Sequence, residues 1–180
     1  MPAPTTGSWR VRRIWRHPAW LPLPLAAGVA AQETATLDVK LGAAAAKRFG
    51  AAELAALPQT EIVEARTVGA AGAAETAEVR WRGVLLRDIL GAAGMQELDR
   101  RALRRSAVVA RAKDGYMVLF SWGELFNARL GENVLVVTSV NGKLLPASEG
   151  PYALRSLSDT KSGPRHVKWL QHLEVLTIPQ

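Results

Sequence analysis

The stretch from Gly150 to Leu176, GPYALRSLSDTKSGPRHVKWLQHLEVL, gathers the side chains best able to do chemistry. Arg155, Lys161, Arg165, His166 and Lys168 lie on one strand end, one loop and the start of the next strand. Guanidinium and ammonium heads converging with backbone N–H groups favour a phosphate-like anion through charge-assisted hydrogen bonds. The same composition also describes a solvated charged loop, because runs of charge commonly serve only to hydrate a surface. Asp114 and Tyr116 stand on a separate turn, Asp114-Gly115-Tyr116, and Tyr116 could offer its hydroxyl to a ligand or simply to water.

Other chemistries find less support. Beyond residue 31 the only histidines are His166 and His172, which have neither a metal-ligating spacing nor carboxylates clustered beside them, so no protein-only metal site is expected. The chain has no cysteine, which excludes disulfides, thiolate zinc sites and a cysteine nucleophile. Ser158, Asp159 and His166 share one loop, but no nucleophile elbow accompanies them, and a triad drawn from one short loop would be strained. No glycine motif for a nucleotide phosphate is present.

The elements that must position these residues form a mixed α+β pattern of short strands, hairpin turns and few helices. Thr36–Leu41 alternates as a first strand, Lys47–Phe49 reads as a short pairing segment, and Ala51–Leu57 as a helix stopped by Pro58. Gln59–Val68 and Ala77–Trp81 read as strands around the loop Gly69–Ala74. Leu85, Leu86, Ile89, Leu90 and Ala93 make one apolar helical stripe ending at Gly94. Ala107–Ala112 and Tyr116–Phe120 form a hairpin about Asp114-Gly115, and Ser121 with Glu124 forms a capping box. Val134–Val140 reads as a strand buried on both faces, turned back by Asn141-Gly142. Trp169 is assigned to the core with Leu54, Leu57, Leu86, Ile89, Leu90, Val108, Val118, Leu135, Val137, Leu154 and Val175.

Charge and the first residues set the setting. The formal net charge is +7, but residues 1–31 contain four arginines and no acid; without them 19 basic face 16 acidic side chains, or +3. Arg100, Arg101, Arg104 and Arg105 form a basic patch with no interleaved aromatic residue, so a platform for stacking bases is missing and no nucleic-acid partner is expected. That patch reads as a solvated face or a surface for an acidic partner. Residues 1–31 are basic and then apolar, ending Val29-Ala30-Ala31, the pattern of a cleaved signal peptide followed by one domain over 32–180. The expected location is periplasmic or secreted, with no stable membrane span after cleavage. Arg12-Arg13 raises twin-arginine export, although its neighbours favour the general secretory route.

Five segments, taken in order, resemble the molybdopterin-binding domain of the sulfite oxidase family. They are Leu54–Gln59 (LAALPQ), Trp81–Leu90 (WRGVLLRDIL), Asp114–Tyr116 (DGY), Asn141–Pro146 (NGKLLP) and Val167–Val175 (VKWLQHLEV), and the resemblance spans roughly residues 36 to 178. It implies the sulfite-oxidase-like α+β fold, a molybdopterin cofactor held partly by Arg155, Lys161, Arg165, His166 and Lys168 near Asp114 and Tyr116, and a redox or signalling partner protein. Family enzymes hold molybdenum through a cysteine thiolate. The corresponding stretch here, Ile62–Val68, is IVEARTV. The resemblance therefore implies an oxidoreductase-type module with weak or no catalysis, or a binding module for an anionic ligand or partner protein that has kept the fold and lost the metal.

Overall fold

The structure, a computed structural model, describes residues 35–68, 75–161 and 163–179. Two five-stranded sheets enclose the main core. In the first, strands β1 (Leu37–Leu41), β2 (Lys47–Phe49), β5 (Ser106–Ala112), β6 (Met117–Ser121) and β10 (Leu170–Thr177) are ordered β2-β1-β10-β5-β6. Only the β1–β10 pair is parallel, so β10 lies in the middle, between one edge pair and the β5–β6 hairpin. In the second sheet, β3 (Gln59–Val68), β4 (Glu75–Leu85), β7 (Val134–Val140) and β8 (Lys143–Leu144) are ordered β3-β4-β7-β8, and β9 (Ala153–Ser156) also pairs with β7. The expected Gly69–Ala74 loop lies outside the described residues.

Sequence patterning accounts for most of these elements. The apolar stripe becomes the Leu86–Ala92 helix, and Gly94 follows it at φ +101°, a left-handed conformation that glycine adopts without a Cβ penalty. The capping box forms: Ser121 accepts from Glu124 N–H while the Glu124 carboxylate accepts from Ser121 N–H, starting the Trp122–Phe126 helix. Asn141 and Gly142 have φ of 50° and 73°, the paired positive values of a tight hairpin turn. The polar stretch after Gly94 becomes a 3₁₀ turn at Met95–Glu97 and the Arg100–Arg104 helix, capped by Asp99. Strand β4 runs to Leu85, four residues past the expected end at Trp81, because Gly83 lets it press against β7.

Strand β7 is buried on both faces over Val134–Val137, as its β-branched run requires. Val134 and Val136 join the main core between the sheets with Leu54, Leu86, Ile89, Leu90, Val108, Val118, Leu154 and Val175. Leu135 and Val137 face the other way and form a smaller cluster with Trp81 and Leu85. Leu57 packs only partly against the core. Trp169 does not join it: it is 39% exposed, with φ of 50°. The assignment of Trp169 to the core is corrected here. The strand begins one residue later, at Leu170, and a left-handed residue just before a strand turns its side chain out of the strand's alternation.

Candidate functional site

Strand β9 opens the site and a short bridge closes it. Leu154 and Val167 exchange backbone hydrogen bonds of 2.8 and 2.9 Å, so the loop after β9 folds back alongside the strand it left. Trp169 N–H then donates to Glu149 O, and Leu170 N–H to Tyr152 O, fixing the chain's entry into β10. Gly150, at φ +86°, lies beneath the Trp169 ring. The Asp114–Tyr116 turn reaches the same loop. Asp114 accepts from Tyr116 N–H, and the Tyr116 hydroxyl donates to Pro164 O at 2.7 Å. Tyr116 thus pins the basic loop through its hydroxyl, a use that its sequence position alone does not disclose.

Two carboxylate-centred groups hold three of the five basic residues, Arg165, His166 and Lys168. Arg165 makes a two-point contact with Asp159, Nε to Oδ2 at 2.7 Å and Nη2 to Oδ1, and a third with Glu124 at 3.2 Å. Its guanidinium lies 4.8 Å over the Phe120 ring, and Ser156 Oγ donates to Asp159 at 2.8 Å. In the second group Glu149 meets His166 Nε2 at 2.5 Å and Lys168 Nζ at 3.1 Å. Arg155 is buried on β9, opposite Leu135, with its guanidinium 4.2 Å over the Trp81 ring; Trp81 in turn donates to Glu64 at 2.9 Å. Lys161 is exposed and has no ion-pair partner among the described residues.

These contacts set the protonation states. Burial opposes ionisation of Asp159, but hydrogen bonds from Arg165 and Ser156 outweigh it and hold the carboxyl below its usual range. Glu149 is likewise lowered: burial acts against it, while Lys168 and His166 more than offset that. Burial and the nearby Arg155 charge push His166 down, against the pull of Glu149. Near neutral pH His166 is therefore uncharged, and its bond to Glu149 requires the proton on Nε2. A depressed folded-state pKa means that the unfolded chain takes up the proton first as pH falls. The His166 contribution to stability is whole above about pH 6.5, the ordinary histidine value, and is lost as pH falls through the folded pKa. His166→Gln should accordingly flatten the fall of melting temperature as pH drops below about 6.5. A slope equal to wild type's would remove His166 from this account.

Asp114 and Tyr116 meet the loop that carries Arg165, His166 and Lys168, and these three are matched with carboxylates; Arg155 lies apart over Trp81, and no contact among the described residues joins Lys161 to the others. Glu124 and Glu149 were not anticipated as members of the site. Glu124 reaches Arg165 across 41 positions, so no local spacing announces the pair. Among the described residues no group of three His, Cys, Asp or Glu is placed to hold a metal ion, and no helix is long and apolar enough to cross a membrane.

Comparison with known families places the arrangement. The family model described as oxidoreductase molybdopterin binding domain matches residues 24–180. The chain belongs to that family. Among solved structures, the sulfane dehydrogenase SoxCD from Paracoccus pantotrophus matches 80% of this chain at 17% identity with a TM-score of 0.60, a likeness of fold. The chain spans 38% of that protein's length. No curated protein sequence matches it significantly. The family fold implies a molybdopterin cofactor, and the residues present fit it unequally. A metal held by a protein thiolate does not fit, because the chain contains no cysteine. For an anionic organic group the loop offers two exposed lysines, Lys161 and Lys168, the second of them paired with Glu149.

Proposed function

We propose that this protein is an extracytoplasmic member of its family that binds a pterin-type or similar anionic ligand without oxidase turnover. The single observation that carries the reading is the absence of cysteine from a chain whose family fold and basic loop are both retained. Without a thiolate, the protein has no soft ligand with which to hold the metal or tune its reactivity. Lys161 and Lys168 approach the ligand from the rim, while Arg155 contributes a buried positive field behind them.

Titration calorimetry with molybdopterin, and with phosphate-bearing pterin analogues, tests the binding half. Exchanging both rim lysines in Lys161→Gln/Lys168→Gln should weaken affinity about tenfold, the scale of one or two partly exposed charge-assisted contacts. Equal affinity in both proteins would place the ligand elsewhere. Sulfite-dependent reduction of ferricyanide, assayed on protein purified from its own host, should not exceed the blank; sustained turnover would overturn the proposal.

A second reading, a module that binds a partner protein and no small ligand, is favoured by the pairing of Arg165, His166 and Lys168 with internal carboxylates. It predicts no binding heat in either protein. Export rests on the basic and then apolar character of residues 1–31, and predicts a mature chain beginning near Gln32. N-terminal sequencing of the natural protein reads this directly, and an intact Met1 would refute it.

A further inference from the structure

The short helices border a solvent-open cavity whose lining shares no residue with the basic loop. It measures about 500 Å³, within the range of small-molecule sites, and lies between the Met95–Glu97 turn, the Arg100–Arg104 helix and the Trp122–Phe126 helix. Met95 and Leu103, both buried, supply apolar surface. Trp122 and Phe126, one helical turn apart, stack with ring centroids 5.9 Å apart and planes at 14°, forming an aromatic wall. Arg100 and Arg104 line the same cavity from exposed positions. Neither has a carboxylate or hydrogen-bond partner among the described residues.

Arg100 and Arg104 are the charged residues of this lining. A shallower groove of about 430 Å³ shares Gln96 and Phe126 with the cavity, but its own arginine, Arg87, is answered by Asp88 at 4.0 Å. Two like charges four residues apart on one helical turn repel each other, and an anion between them relieves that repulsion. The aromatic pair favours a planar apolar body. One stacked pair is too little to follow a nucleic-acid strand, and no phosphate-binding loop is present.

From this geometry we infer a second ligand site, one that takes a planar apolar molecule bearing a single anionic head, such as an aromatic carboxylate or sulfonate. The ring lies along Trp122 and Phe126, and the head group sits between Arg100 and Arg104. None of these residues belongs to the Arg155–Lys168 cluster, so the site stands independently of the pterin reading.

The test uses two fluorescent probes on the purified protein: anilinonaphthalene sulfonate, which carries both features, and phenylnaphthylamine, which has the rings without the charge. Wild type should bind the sulfonate more tightly. Arg100→Gln/Arg104→Gln, at exposed positions, should weaken the sulfonate about tenfold or more and leave the neutral probe within about twofold. Gln96→Trp, which fills the cavity from its exposed side, should abolish both signals at an unchanged melting temperature. Absence of sulfonate binding to wild type, equal sulfonate affinity in wild type and the double variant, equal loss of both probes in that variant, or full binding by Gln96→Trp would each overturn the assignment.

Discussion

Gly83→Ala is expected to lower stability by more than about 4 kcal/mol or to prevent folding outright, the extreme end of single-substitution effects. A Cβ on residue 83 would stand 1.9 Å from Val136 O and 2.9 Å from Val137 Cα. Both are backbone atoms of the strand that pairs with β4, so no rotamer change can relieve the overlap. Relief requires β4 and β7 to separate at the register shift between Arg82 and Gly83, where the second sheet carries buried cluster residues on both faces. Domains of this size are stabilised by only about 5–15 kcal/mol, so such a loss is visible as failed expression or a collapsed melting temperature. A variant melting within a few degrees of wild type would show that the close β4–β7 approach is wrongly described.

Gly150→Ala should cost about 3–5 kcal/mol, through two separable causes. The residue sits at φ +86°, and an added Cβ would meet Trp169 Cδ2 at 2.7 Å and Trp169 Cα at 2.9 Å. Gly142, at φ +73° with nothing within 4 Å, isolates the first cause: Gly142→Ala should lose only about 1–2 kcal/mol from backbone strain. The difference between the two variants in chemical denaturation measures crowding against Trp169. The effect should reach the site as well, because Trp169 N–H is held by Glu149 O and the Glu149 carboxylate holds His166 and Lys168. An altered His166 titration by NMR, alongside the stability loss, would report that link. Equal losses in the two alanine variants would leave no role for the Trp169 contact.

Local chemistry made the scaffold legible. The Ser121–Glu124 box, the Asn141-Gly142 turn, the stripe from Leu86 to Leu90 and the β-branched run of β7 each specify their structure within a few residues, and each forms. From sequence Trp169 reads as core because aromatic residues beside a strand usually point inward, and its positive φ reverses that. The basic loop was legible as a cluster but not as a set of ion pairs. Its residue types indicate what could bind an anion; Asp159, the main partner of Arg165, lies in the same loop, while Glu124 and Glu149 are brought to Arg165 and His166 by tertiary packing. Arg155 could be placed on its strand end, but nothing near it in sequence reveals the Trp81 ring it covers. The Met95–Arg104 stretch was read for its charge alone, and the cavity under its arginines depends on helices that meet only in three dimensions.

The central place of β10 has a kinetic consequence. This late strand joins the β1–β2 pair to the β5–β6 hairpin, so the first sheet cannot close during synthesis until residues near 177 have emerged. Until then the first sheet consists of two separate two-stranded pieces, each marginal in water by itself. Pairing β1 with β10 also closes a loop of nearly the whole domain, a non-local step of the kind that slows folding.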